Sequence, residues 1–435
     1  MQLESKKWSF ITHYVDVECS KTLNKARIKG FMLKKICYFS LNKTKHEIMR
    51  PFVIQIKSQY CRKLVYRLTI DAEESESIYL IRLLRKISGM ISLGLNLPYC
   101  YRFDQNQVKK TFQTLYYFNR LRKLSLNMQH CKKVNCSSIF ALSKAVQRLP
   151  SLSKIGFNWS NCQRLKDEAF FYIYKTLAFR KNIISLALVF QMTRNLNNNC
   201  LHMISNGLRE FRDLQFLILN FGCCKDVNDD GIIRIVSTVK TFKILKSFYL
   251  SLYALKSITD NSILELANCV KKLKELVYLE IDLSQCKSLN DISINLLWMS
   301  IGTLTLLKGI CISVWGIKNL TLESFHIMCQ QIDNMPYLDS LGLVLRNSII
   351  ESGVLLTLGQ IISRLALIEL SMNCYDCVNI MEGDIFLFIK SVSTISTLKT
   401  LRLYIRGCKN VTNDSFKVIK RQLKKSLKLQ SFLVE

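Results

Sequence analysis

One repeat governs the sequence. An apolar residue, usually leucine, is followed by others three, five and usually seven places on, starting at Met90, Leu121, Leu152, Ile183, Leu214, Leu245, Leu276, Leu307, Leu338, Leu367, Leu398 and Leu429. Every spacing is 31 residues except Leu338 to Leu367, which is 29. So regular an array excludes a string of unrelated globular domains. A unit this short cannot bury its own apolar faces and must stack on its neighbours.

Counted from the first residue of each unit, positions 4, 6 and 8 are apolar and alternate with variable residues, the period of a strand with one buried face. Positions 15 to 17 gather Asn, Asp and Thr, as in Asn228-Asp229-Asp230, Thr259-Asp260, Asn290-Asp291 and Thr412-Asn413-Asp414. Their short oxygens accept the unpaired N–H groups of a first helical turn. Helical spacing follows, for example at Ile263, Leu266, Ala267 and Val270. Each unit therefore reads strand, turn, helix, and stacking predicts one continuous parallel sheet of at least eleven strands, with helices on one side. Strands about 4.8 Å apart cannot keep pace with helices about 10 Å wide, so the stack curves with its sheet inside. The expected fold is an α/β solenoid shaped as a horseshoe.

In LKTLRLYIRGCKNVTNDSF, from Leu398, the pattern L-x-x-L-x-L is followed by a cysteine, an aliphatic residue, Thr-Asn-Asp and a helix. This arrangement resembles the leucine-rich repeats of the ribonuclease-inhibitor and cysteine-containing (F-box-type) subclasses, and extends over residues 65–435. The units depart from that consensus in their 31-residue length and in two extra residues between strand and cysteine. Repeat length and composition are similar to those of ciliate leucine-rich repeat families. The resemblance implies a protein-binding solenoid and names no partner.

Toward the N-terminus the pattern decays. Val65 begins a shorter, 25-residue unit, with Leu68, Ile70 and Ala72 at positions 4, 6 and 8; Leu33, Ile36 and Tyr38 begin a more degenerate one, interrupted by Pro51. The expected division is residues 1–64, a cap or degenerate repeats, and residues 65–435, a solenoid of about eleven to twelve units. A short independent module is the alternative for 1–64. At the other end LQSFLVE supplies a last strand without a capping helix, either an exposed edge or the sign of a longer chain. Residues Ile294 to Ile317 are apolar enough to imitate a membrane span. The register reads them instead as a helix end, a turn and a strand, so no transmembrane segment is expected.

Sixty-two Lys and Arg stand against 32 Asp and Glu, a net charge of +30. The excess lies in residues 1–64 (14 basic, 4 acidic), 121–213 (15 and 4) and 398–435 (10 and 2), whereas 307–397 carries 5 and 8. Such an imbalance attracts an acidic protein, nucleic acid or an anionic membrane. With 41 Lys to 21 Arg it lacks the bias toward arginine's bidentate fork that dedicated phosphate sites show, and a biased composition explains it equally. Seventeen cysteines, an odd number spread along the chain, do not fit a disulfide framework and indicate reduced thiols. The first residues, MQLESKKWSF, lack the apolar core of a signal peptide. An intracellular, cytoplasmic protein is expected.

Position 11 holds Cys100, Cys131, Cys162, Cys224, Cys286, Cys377 and Cys408. Small buried thiols beneath each strand are the expected reading, against metal ladders or redox pairs. Cys374-Tyr375-Asp376-Cys377 is a lone C-x-x-C without the second pair or nearby histidines of a zinc site. His13, His46, His130, His202 and His326 fall at unrelated positions, and no phosphate-loop, dinucleotide or kinase motif occurs. No enzymatic activity, metal or cofactor is expected.

Positions 3, 5, 7 and 9 should face away from the helices. Asn96, Asn127, Asn158, Asn220 and Asn373 share position 7, as a polar ladder or as the lining of a groove. In the middle units Phe216, Ile218, Tyr249, Tyr253, Tyr278 and Trp315 gather with acidic Glu280 and Asp282, and Tyr375, Arg402, Tyr404 and Arg406 follow. Aromatics this dense are the anchors of a protein-binding patch; rings that only stiffen the sheet, or meet the N-terminal segment, are the competing reading. The expected function is a non-enzymatic interaction scaffold or recognition module that binds a protein partner on its concave face. The alternatives are a basic protein binding nucleic acid or anionic lipid, and the substrate-receptor subunit of a ubiquitin ligase, although residues 1–64 show no F-box pattern.

Overall fold

The computed structural model describes Cys37–Leu41, Arg67–Ala72 and residues 81–434, with breaks at 82–83, 86–87, 100–102, 318–319, 351–352, 409–410, 427–428 and 430. Among the described residues fourteen strands pair in chain order in one open sheet. They are β1 (Cys37–Leu41), β2 (Arg67–Ala72), β3 (Ser92–Asn96), β4 (Lys123–Asn127), β5 (Lys154–Asn158), β6 (Ser185–Val189) and β7 (Phe216–Asn220), then β8 (Ser247–Ser251), β9 (Tyr278–Asp282), β10 (Gly309–Ser313), β11 (Ser340–Val344), β12 (Glu369–Asn373), β13 (Thr400–Tyr404) and β14 (Ser431–Val434). Every pairing is parallel, and like positions pair with like: Leu219 with Leu250, Leu250 with Ile281, Ile281 with Ile312. The units read from Met90 to Leu429 supply β3 to β14, and the Val65 unit supplies β2.

Position 4 (Leu124, Leu217, Leu401), position 6 (Leu126, Leu219, Leu403) and position 8 (Met128, Phe221, Ile405) are buried in unit after unit. Between strands run the helices α1 (Gln105–Thr114), α2 (Cys136–Gln147), α3 (Asp167–Phe179), α4 (Asn198–Leu208), α5 (Asp229–Val239), α6 (Asp260–Lys272), α7 (Asp291–Ile301), α8 (Leu322–Asp333), α9 (Val354–Ile362), α10 (Glu382–Val392) and α11 (Asn413–Ser426). Each packs against the next, so one core runs the length of the array. The apolar stretch from Ile294 divides between α7, a turn and β10, and no described helix is long and apolar enough to cross a membrane.

β1 corrects one expectation. Cys37 pairs with Leu68 and Phe39 with Ile70, so Cys37, Phe39 and Leu41 occupy positions 4, 6 and 8 in place of Ile36 and Tyr38. A one-residue slip exchanges the faces of a strand. In this run, Ile36-Cys37-Tyr38-Phe39, both alternations are apolar and the pattern cannot choose between them. The rest of 1–64, with its reading as a cap, and Cys100 lie outside the described residues.

Two polar ladders tie unit to unit. At position 11 the thiols of Cys131, Cys162, Cys224, Cys286, Cys377 and Cys408 donate to position-8 carbonyls one unit back, those of Leu97, Met128, Phe190, Leu252, Leu345 and Cys374, at 3.0–3.2 Å. In the unit that starts at Ile183, which lacks the cysteine, the Thr193 hydroxyl reaches the Trp159 carbonyl at 3.2 Å. Burial pushes the Cys224 and Cys286 thiols up to about 12 and Cys408 to about 11, against backbone hydrogen bonds that pull the other way. They therefore remain protonated donors and weak nucleophiles at neutral pH. Cys374 lies at position 8 behind Cys377, and their mutual hydrogen bond, then burial, raises the Cys374 thiol well above its ordinary value. The C-x-x-C is thus one ladder thiol and one core thiol.

The second ladder lies at the helix N-termini. The Asp229 carboxylate, in the first turn of α5, accepts from the Thr259 N–H (2.8 Å), the Thr259 hydroxyl (2.6 Å) and the Ser262 hydroxyl, at the start of α6. Asp260 does the same for Asn290 and Ser293, and Asp291 for Thr321 and Ser324. Each carboxylate thereby satisfies donors that the next helix leaves open.

Candidate binding face

The side of the sheet away from the helices is shaped by positions 7 and 10. At position 7 a short side-chain oxygen accepts the N–H of position 9: Asn127 from Gln129, Asn158 from Ser160, Asn220 from Gly222, Asp282 from Ser284 and Asn373 from Tyr375, at 2.9–3.2 Å. Asn127 also donates to Asn96 at 2.7 Å. These bonds turn the chain out of the strand, which gives the asparagine ladder a structural task. Position 10 then enters the left-handed region in eleven units, from Tyr99 (φ 57°) and His130 (φ 61°) through Ala254 (φ 55°) and Gln285 (φ 62°) to Gly407 (φ 83°). The turn leaves the position-9 side chain at the rim of the sheet.

All twelve candidate residues are at least partly exposed. The pairing register aligns Ile218, Tyr249 and Glu280 along position 5, while Phe216 and Tyr278 are separated along position 3 by Ser247. The Tyr278 ring, 37% exposed, lies across the backbone of Gly309, where an added Cβ would stand 2.6 Å from Cδ1. Burial, then the carboxylates of Asp339 and Glu369, raises the Tyr278 hydroxyl above its ordinary value. Asp282 is engaged by the backbone at Ser284 and by the Ser251 hydroxyl at 3.4 Å, so it serves the turn as well as the surface.

Along position 9 the two clusters read from sequence become one. The Tyr253 ring lies 6.0 Å from Trp315. Arg346 stands over Trp315 at 5.4 Å and over Tyr375 at 4.7 Å, and its guanidinium reaches Asp376 at 3.6 Å. Arg406 occupies the same position in the next unit and is exposed. Arg402 and Tyr404 lie on β13, half-buried, at positions 5 and 7. Between Glu280 and Arg402, position 5 falls to the small residues Cys311, Gly342 and Ser371. The result is a shallow floor beside a wall of rings and guanidinium. Arg346 was not among the residues read from sequence; it shares position 9 with Tyr253, Trp315 and Tyr375, and that column carries its signal. Among the described residues no group of three or more His, Cys, Asp or Glu is placed to hold a metal ion.

No protein-family model matches the chain, and no curated protein does. Among solved structures it is similar to a chain of the Rad7 and Elc1 complex in yeast, at 17% identity and a TM-score of 0.50, over 80% of this chain and 72% of that one. Together with the parallel strands alternating with helices, this likeness shows an α/β leucine-rich repeat solenoid.

Proposed function

We propose that the protein is a non-enzymatic recognition scaffold that binds a protein partner across its inner face, between β7 and β13. The observation that carries this reading is the column Tyr253, Trp315, Arg346, Tyr375, in which the Tyr253 and Trp315 rings meet across the small, buried Ser284. A planar guanidinium held between two rings is rigid before binding, and large preorganised side chains of these types dominate interface energies. The solved neighbour is itself part of a complex of two proteins, which agrees with this use of the fold. The ladder of position-11 thiols supports assignment to the cysteine-containing subclass. Buried free thiols in every third of the array also suit a reducing, intracellular setting.

The test compares wild-type protein with Tyr253→Ala/Trp315→Ala as bait for native extract, with bound proteins identified by mass spectrometry. Proteins captured by the wild type and lost with the variant, at unchanged melting temperature, are the expected result. An identical captured set from a folded variant removes the inner face as the recognition site. Capture dominated by nucleic acid and abolished by moderate salt favours the electrostatic alternative.

A further inference from the structure

The outer surface of α1, α2 and α3 carries a second pattern. Residues four apart on a helix share a face. On α2 this stripe is Phe140, Lys144 and Arg148; on α3 it is Phe171, Lys175 and Phe179; and Tyr117 ends the corresponding line after α1. All seven side chains are exposed, with Tyr117 and Phe179 both at 58%. Because α1, α2 and α3 pack side by side, the three lines form one patch. It measures about 12 Å along the helices and about 20 Å across them.

Cations are interleaved with the rings. Lys144 Nζ stands 5.7 Å from the Phe140 centroid and Lys175 Nζ 5.2 Å from Phe171; the Arg180 guanidinium, 5.4 Å from Phe179, is half-buried and donates to the Val146 and Gln147 carbonyls, so the exposed cations of the patch are Lys144, Arg148 and Lys175. Neither α1 nor α2 contains an acidic residue, α3 has only Asp167 and Glu168 in its first turn, Glu168 accepting from the Tyr172 hydroxyl at 3.1 Å, and the surrounding segment, 121–213, has a basic excess of 15 to 4. The same stripe on α4 is His202, Asn206 and Glu210, so the pattern stops where the aromatics stop.

We infer that this outer face docks on an anionic lipid bilayer surface. Ring edges at the interface with lysine and arginine heads between them satisfy both parts of a membrane boundary: apolar tips enter among the acyl carbons while cations meet the phosphates. Base stacking on single-stranded nucleic acid is the less fitting occupant. Phe140 already contacts Tyr172 at 4.9 Å and Phe171 contacts it at 5.9 Å, and a lysine stands over each of the two phenylalanines, so these rings present less open face to a base.

The test sediments the full-length protein with phosphatidylcholine vesicles and with the same vesicles containing phosphatidylserine. Binding to the anionic vesicles alone, weakened by salt, is expected. Phe140→Ser/Phe171→Ser/Phe179→Ser should reduce the bound fraction by about tenfold or more. Because these rings also touch neighbouring helices, Lys144→Glu/Lys175→Glu serves as a second variant that leaves the rings in place, and it should lose binding as well. Lys271→Glu, on α6, should retain it. No sedimentation of folded wild type, unchanged binding by either patch variant, or release of the protein from vesicles by a single-stranded oligonucleotide competing through the same rings overturns the proposal. None of these outcomes bears on the inner face, whose partner binding is measured separately.

Discussion

Position 10 places nine non-glycine residues, from Tyr99 to Asp376, in a backbone conformation that costs an L-residue about 1 kcal/mol or more. At Ala254 nothing offsets that cost locally beyond the Ala254 N–H donating to the Ser284 carbonyl at 2.8 Å, a bond that glycine keeps. Ala254→Gly should therefore stabilise the protein by about 0.5–1 kcal/mol, after allowance for the freer unfolded chain. Ala254→Val should destabilise it by more, since a β-branched side chain tolerates this region worst. Urea midpoints of the two variants check the pair, and an Ala254→Gly midpoint below wild type refutes the argument. This requirement was not legible in the sequence. Tyr, His, Asn, Met, Cys, Ala, Gln and Asp all meet it alongside Gly316 and Gly407, so no single residue type marks the column. The core columns were legible for the opposite reason: burial at positions 4, 6 and 8 admits few residue types and repeats them.

At the level of elements, the sequence identified the Asn and Asp residues that open each helix as caps for their own helix. That holds for Asn228, which accepts from Asp230 N–H, and for Asn197, which accepts from Cys200 N–H. The neighbouring aspartates instead serve the next helix, a relation that one unit read alone cannot show because the partners stand about thirty residues away. Burial on its own would raise the Asp229 carboxyl, but the Ser262 and Thr259 hydroxyls and N–H groups outweigh it and hold the group below the usual carboxylate range. A carboxyl lowered on folding contributes stability that is complete above its unfolded value, about 3.9, and is lost as pH falls through the lower folded value. Asp229→Asn should accordingly cost about 1 kcal/mol at pH 7, where a charged acceptor is replaced by a neutral one. The deficit should shrink toward zero in the acid limb. Denaturation midpoints of the two proteins at pH 7 and below pH 4 measure it; a deficit that persists undiminished in acid means the charge is not what ties α5 to α6.

Across the whole molecule, each unit contacts its neighbours and little else, so stability is shared along one dimension and a lesion weakens the array according to its place. Leu250 sits at position 6 of β8, completely buried and paired with Leu219 on one side and Ile281 on the other. Leu250→Asp would place an unpaired carboxylate among apolar neighbours, a change in the severe class of several kcal/mol. Its effect is not confined to one unit, because among the described residues the parallel pairings of β7 with β8 and of β8 with β9 are the only links in the sheet between the units before and after it. The melt should move to lower temperature and separate into two transitions, one for each flanking block. Leu403→Asp, at the same position in β13, interrupts the sheet near its described end and leaves a long uninterrupted block before it. It should lower protection from hydrogen exchange in α10, α11 and their adjoining strands while the earlier units keep theirs. The contrast between the two substitutions tests the linear architecture itself. Equal, single-transition losses would show cooperativity that nearest-neighbour stacking does not supply, and an unchanged melting temperature for Leu250→Asp would mean that β8 is out of register.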